Sequence, residues 1–447
     1  MSELRAGTEG ALRRIVQERQ SEHRIPGVAA GVARSGSLLW SGGVGAADLD
    51  RPEAAPDEDT QFLVASITKT FTAVMTMQLR DEGKLSLDDT VDSFVPESKH
   101  EGVTIRQVLS HVTGMQREPV GDIWETLQYP DREQLVSGWN DAERILKPHH
   151  RHHYSNLSYA MLGEVVARLD GRSYADSLQA RLLDPLSLRR TTMGLSAPHA
   201  VGYYVPPFSD VPVREPVVDL LATAPAGGLA STVADLTTWG SFLADPDDAV
   251  LSPDTLEEMV QPQIMADLDG WRLAWGLGFM LFRSGDRVFI GHDGGMPGHI
   301  TSVVVHRPTK TVATVLMNST SSPAPSAFAI ALADHVIEHD AAAPDLWTPG
   351  EAVPDELLGV LGTWFSEGQA FTFSVRRQTL ECRLDAAPKS RPPSVFTKIG
   401  DDVYRTASGR ETGELLRVTR DANGSVTKLN WATYLFTREP YAFGEWL

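Results

Sequence analysis

Phe62-Leu63-Val64-Ala65-Ser66-Ile67-Thr68-Lys69 is the stretch that decides how this chain is read. Phe62, Val64, Ala65, Phe71, Val74, Met75 and Leu79 form an apolar band at helical spacing, which predicts a helix from Phe62 to Leu85. Arg80 falls in its last turn and Gly83 closes it. Ser66 and Lys69 are three residues apart and share one helix face. Ser66 falls near the helix start, where free N–H groups and the dipole favour developing negative charge. A lysine beside a serine acts as a base only when it has lost its proton, and burial or nearby positive charge brings that about. Taken alone, Ser-x-x-Lys recurs by chance, and an N-cap serine with a solvated lysine is its commoner origin.

Outward from this segment the chain has a clear order. Thr8 to His23 has the spacing of an opening helix. Val28 to Ala47 reads as two strands around Arg34-Ser35-Gly36-Ser37. Short helices are expected at Thr104 to Ser110 and Leu157 to Leu169, and another at Ser231 to Leu243. Strands follow at Gly276 to Phe282, Arg287 to Ile290, Ile300 to His306 and Val312 to Met317, then a helix at Ala327 to Glu338. One antiparallel sheet assembled from both ends of this region and covered by helices satisfies the order, an α+β class. A Pro- and Ala-rich linker is expected at 343–354 after a first domain of residues 1–342. Residues 355–447 alternate polar and apolar with turn signals at Ser366-Glu367-Gly368, Ala407-Ser408-Gly409 and Asp421-Ala422-Asn423-Gly424, which predicts a small all-β barrel.

Two further motifs carry chemistry. Tyr154-Ser155-Asn156 precedes a helix; a phenol can relay a proton, and an amide can orient a lysine. Gly291-His292-Asp293-Gly294-Gly295-Met296-Pro297-Gly298 lies between two expected strands and reads as a Gly-rich loop that lets backbone approach a ligand. A backbone N–H there, with that of Ser66, would make an oxyanion hole.

Order and spacing then identify a resemblance. The segment at 62–69, Thr104-Ile105-Arg106-Gln107-Val108-Leu109-Ser110-His111-Val112-Thr113-Gly114-Met115, Tyr154-Ser155-Asn156, Pro225-Ala226-Gly227-Gly228-Leu229-Ala230-Ser231-Thr232, Trp275-Gly276-Leu277-Gly278-Phe279 and Gly291-His292-Asp293-Gly294-Gly295 occur in sequence. Together they resemble the serine β-lactamase and penicillin-binding-protein-like family, over residues 8 to 340. That family includes class C β-lactamases, DD-peptidases, D-aminopeptidases, carboxylesterases and peptide-cyclising thioesterases. The resemblance implies Ser66 as nucleophile, Lys69 with Tyr154 as base, Asn156 as the residue that positions Lys69, and the Ser66 and Gly295 N–H groups as oxyanion hole. His292 stands where many members carry lysine, so its charge is conditional on pH. Asp293, Gly294 and His153 are candidate substrate contacts. Asp293 replaces a more usual Ser or Thr, and a carboxylate facing the site would repel a substrate carboxylate. Strand alternation would turn it away from the face of His292 and Gly294.

His149, His150, His152 and His153 surround Arg151 and raise the question of zinc. No cysteine or carboxylate pattern accompanies them, so a loop at the site is expected, with no metal and no cofactor. His111 is read as structural. Cys382, the single cysteine, is read as a small strand residue. The balance of 59 acidic and 40 basic residues, a net charge of -19, argues against nucleic acid and against a polybasic membrane anchor as partners. Met1 to Arg5 leads into no apolar export segment and no run reaches the roughly 20 residues of a membrane span, so a cytoplasmic protein is expected.

Three functions remain open: a hydrolase of peptides, amides or esters; an acyltransferase that cyclises a carrier-bound peptidyl thioester; and a non-catalytic binding module. Penicillin-binding-protein-type thioesterases resemble the chain in plan, with a Ser-x-x-Lys domain followed by a small lipocalin-like β domain. Either enzyme would take a small-molecule or peptide substrate. A β-lactamase fits least for a protein that is not exported.

Overall fold

Apolar runs near both ends of the first 340 residues pair with each other to make the central sheet. In the computed structural model, which describes residues 4–322, 324–343, 346–389 and 391–442, eight antiparallel strands lie in the order Ser37–Gly45, Gly27–Arg34, Thr311–Met317, His299–His306, Arg287–Met296, Met280–Ser284, Leu273–Trp275, Ile264–Met265. The two ends meet with Val28 opposite Met317 and Arg34 opposite Thr311. Thr311–Met317 is buried throughout, because helices cover both faces of the sheet. Val28, Ala30 and Val32 pack under the helices Ala6–Glu22 and Pro325–His339. Ala29 and Ala33 face the other way, into the larger core with Leu236 and Trp239 of the helix Val233–Ala244.

Three local departures from the expected elements build the site. The helix expected from Phe62 starts later. Phe62–Leu63 is a short strand, with Phe62 opposite Ser231 and Leu63 opposite Ala230. A 3-10 turn at Ala65–Ile67 follows, and the α-helix is Thr68–Asp81. Tertiary hydrogen bonds override helical periodicity here: Val64 N donates to Leu229 O at 2.9 Å, and Leu229 N donates to the Thr68 hydroxyl at 3.1 Å. Ala65 sits at φ 47°, a left-handed conformation that costs a non-glycine residue about 1–2 kcal/mol. It turns the chain just before Ser66.

Second, the strand expected over Gly276 to Phe282 is broken. Gly276 N donates to Phe279 O at 2.9 Å, and Gly278 takes φ 90°, so Trp275 ends one strand and Met280 begins the next. Third, the Gly-rich stretch expected as a loop is strand as far as Met296. A Cβ on Gly294 would lie 2.1 Å from the Val64 carbonyl oxygen, so its lack of a side chain lets the strand pass against the segment that carries Ser66.

The chain divides into two compact units, Met1–Ala342 and Ala343–Leu447. Within the second, eight strands from Gly362–Ser366 to Tyr434–Phe436 pair in sequence order. Phe365 and Thr437 exchange backbone hydrogen bonds of 2.8 and 3.0 Å, which nearly closes the meander into a barrel. Trp364, Phe373, Leu416 and Leu429 fill it, with Cys382 buried among them. Among the described residues no helix is long and apolar enough to cross a membrane.

Candidate active site

From Gln61 to Met77 every residue is buried except Ser66, which reaches a cavity of about 420 Å3. Tyr154, His292, Asp293, Gly294 and Gly295 line the same cavity, with Arg117 and Trp275. Lys69 and Asn156 sit behind Ser66. His153 does not line the cavity: it is half-buried, and its backbone N–H donates to His111 O at 2.8 Å.

Lys69 is wholly buried, and its Nζ has three polar neighbours. They are Asn156 Oδ1 at 2.7 Å, the Ala226 carbonyl at 2.6 Å and Ser66 Oγ at 3.1 Å. The first two only accept hydrogen bonds. A neutral amine has two N–H bonds and one lone pair. In that form the two acceptors would take both hydrogens and leave the lone pair for the Ser66 hydroxyl. Burial holds the Lys69 pKa well below the ordinary lysine range; Glu118 opposes the shift and Arg117 adds to it.

The direction of the Asn156 amide is fixed by a residue the motifs did not reveal. Asn156 Nδ2 donates to Glu118 Oε1 at 2.8 Å. An ionised carboxylate only accepts, so the amide nitrogen must face Glu118 and its oxygen must face Lys69. Glu118 lies in an irregular segment with no periodic relation to Ser66, so no spacing signal could have found it.

Tyr154 is held by its ring. His111 stacks on it with centroids 4.2 Å apart, and Lys69 Nζ and the Arg117 guanidinium lie 4.7 and 4.9 Å from its centroid. His111 is buried, and its Nδ1 accepts from Ser155 N at 3.1 Å, so it fixes the start of the helix Asn156–Asp170 as well as the ring. Burial pushes the Tyr154 pKa above the ordinary phenol range, with the Ser66 hydroxyl offsetting part of the shift. Lysine pushed down and tyrosine pushed up are opposite consequences of the same dry environment.

His292 Nδ1 donates to the Asp293 carbonyl at 2.5 Å, which leaves Nε2 as an acceptor with no partner among the described residues. Burial, and then Lys69, hold its pKa at about 3, so the ring is uncharged at neutral pH. Asp293 lies opposite Ser302 in the neighbouring strand, and burial raises its carboxyl to about 6. Of the histidine run, His152 stacks on Trp275 at 4.6 Å and His149 approaches Gln107 at 3.4 Å. Among the described residues no three histidine, cysteine or acidic side chains form a group that could hold a metal.

The arrangement sets a buried amine 3.1 Å from a serine hydroxyl, with a phenol beside it and two glycines on the facing strand. Chains of known kind carry related sequences and folds. The family model for Beta-lactamase matches residues 12–337. A domain family of unknown function, DUF7586, matches residues 353–438. Beta-lactamase-like protein 2 of Dictyostelium discoideum is 26% identical over 312 residues, which is 66% of this chain and 56% of that protein. Protein flp of Staphylococcus aureus strain MW2 is 27% identical over 258 residues, 55% of this chain and 50% of that one. The chain thus spans about half the length of these curated relatives. The octameric penicillin-binding protein homologue from Pyrococcus abyssi shares the fold with a TM-score of 0.66 at 22% identity, covering 96% of this chain and 99% of that one. A D-stereospecific amidohydrolase from Streptomyces sp. superposes with a TM-score of 0.62 at 24% identity, over 75% of this chain and 99% of its own. With a family model matched across most of its length and the serine-lysine pair set in the corresponding fold, the chain belongs to the Beta-lactamase family.

Proposed function

We propose that this protein is a serine acyl-enzyme hydrolase acting on a peptide, amide or ester. The observation that carries the reading is the buried Lys69 amine, whose Nζ lies 3.1 Å from Ser66 Oγ and has two pure acceptors, Asn156 Oδ1 and the Ala226 carbonyl, as its other polar neighbours. Lys69 takes the Ser66 proton as Oγ bonds to the substrate carbonyl carbon. Tyr154, a neutral phenol, relays that proton to the leaving group as the carbonyl–leaving-group bond breaks. The Ser66 and Gly295 N–H groups receive the oxyanion. Water then attacks the acyl ester by the reverse proton path, releasing the acid and restoring Ser66. The names of two fold neighbours, a D-stereospecific amidohydrolase and a Beta-Lactamase/D-Alanine Carboxypeptidase from Pseudomonas syringae, support amides with D-residues as the first substrates to try.

The test is a panel of D-amino-acid amides, simple esters and a peptidyl thioester bearing a free N-terminal amine, each incubated with wild type and Ser66→Ala. Ser66-dependent release of linear acid is the expected result. A cyclic product from the thioester would replace the reading with an acyltransferase that cyclises peptides. Turnover by Ser66→Ala at the wild-type rate would remove Ser66 as nucleophile.

A further inference from the structure

We propose that the mouth of the C-terminal barrel is a binding site for an organic anion with an apolar body. A cavity of about 440 Å3 opens there, within the range of small-molecule sites. Phe371, Cys382 and Trp431 line it and are almost wholly buried, at 3%, 2% and 2% exposure. The Trp431 indole N–H is already committed to the Thr406 hydroxyl at 2.8 Å. This inner lining therefore offers carbon and ring faces and asks for an apolar ligand body.

Three of the remaining lining residues are cationic. Arg383, Arg391 and Arg410 converge on the same cavity. Arg383 donates to the Arg391 carbonyl at 2.7 Å, a contact that neutralises neither charge. Arg410 pairs through Nε with Glu411 at 3.1 Å, and its guanidinium lies 5.7 Å from the Phe371 ring centroid and 5.2 Å from that of Tyr434. Its backbone N–H donates to the Ser394 hydroxyl at 2.9 Å, which holds the residue at the rim. Among the described residues no carboxylate forms an ion pair with Arg383 or Arg391.

Like charges lining one cavity repel one another, and of the three only Arg410 has an ion-pair partner among the described residues, Glu411. The arrangement gains a counter-ion when an anion enters. General basicity of the unit does not explain the cluster, since residues 343–447 hold 12 basic and 14 acidic side chains. Guanidinium recognises the planar or tetrahedral oxygens of a carboxylate or phosphate through paired N–H donors. The shared chemistry is an oxyanion head on an apolar body, and this site stands independently of the reading of Ser66.

The experiment is isothermal titration of the full chain with octanoate, octyl phosphate, octan-1-ol and inorganic phosphate. One octanoate or octyl phosphate per chain is expected, at least tenfold tighter than the alcohol and tenfold tighter than inorganic phosphate. The tighter head group identifies the source as carboxylate or phosphate. The double variant Arg383→Ala/Arg410→Ala should weaken the bound anion at least tenfold with an unchanged melting temperature. Should that variant unfold, Ala387→Trp, which fills the mouth without removing a charge, should weaken it similarly. The proposal is overturned by octan-1-ol binding as tightly as the anions. It is equally overturned by anion affinity that survives the folded variants, or by the lack of any saturable heat.

Discussion

Replacing Glu118 by Gln separates charge from geometry at the proposed base. Gln keeps an oxygen that can accept from Asn156 Nδ2, so the amide still faces Lys69; only the charge is removed. The two hydrogen bonds of 2.7 and 2.8 Å, with the amide between them, put the carboxylate roughly 7 Å from Nζ. At an effective dielectric constant of about 20 that is about 2 kcal/mol. Arg117, 3.5 Å from Glu118, screens part of it. The sign follows from the electrostatics: Glu118 raises the Lys69 pKa against the larger effect of burial, so its neutralisation lowers that pKa further. The free amine then persists to lower pH. The acid limb of Ser66 acylation, followed by stopped-flow nitrophenolate release from p-nitrophenyl acetate, should move to lower pH, with the plateau changed only a few-fold. An acid limb that stays in place or moves up, in a variant with the wild-type melting temperature, would refute the assignment of Lys69 as the titrating base.

Two further changes test the packing around the site. Lys69→Met keeps length and removes the amine, so acylation should fall about a thousandfold or more. The folded pKa of Lys69 lies below its unfolded value, so the native state binds fewer protons and wild-type stability rises with pH between the two values. The stability gain of Lys69→Met over wild type should therefore grow as the pH falls through that interval, and thermal melts showing the same gain at every pH would contradict it. Gly294→Ala places a Cβ 2.1 Å from Val64 O and 2.5 Å from the Thr301 hydroxyl. It should cost about 1–3 kcal/mol and slow acylation, since Val64 leads into the turn that sets Ser66. A wild-type melting curve would show that the strand has room to move.

The sheet was legible because its strands alternate or run apolar, and because the hairpin at Ser35-Gly36 and the capped helix at Thr104 announce themselves locally. Ser66, Lys69, Tyr154 and Asn156 could be named because each lies in a short run of fixed order. What escaped depended on partners distant in sequence. Phe62–Leu63 has helical spacing yet pairs with residues some 168 positions away, at Ala230 and Ser231. Gly291 to Met296 has the composition of a loop, but its glycines serve close approach rather than a turn. Glu118 and the stacking of His111 on Tyr154 belong to irregular backbone, where no period links a residue to its partner. The backbone carbonyl of Ala226, which completes the lysine's acceptors, carries no side-chain signal at all.

The central claim is that Ser66 becomes covalently acylated with Lys69 as base. Intact-protein mass spectrometry after brief exposure to a slowly hydrolysed activated ester, followed by peptide mapping, tests it most directly. The expected result is one acyl group per chain on the peptide containing Ser66, absent from Ser66→Ala and strongly reduced in Lys69→Met. An adduct on another residue, or equal labelling of Ser66→Ala, would contradict it.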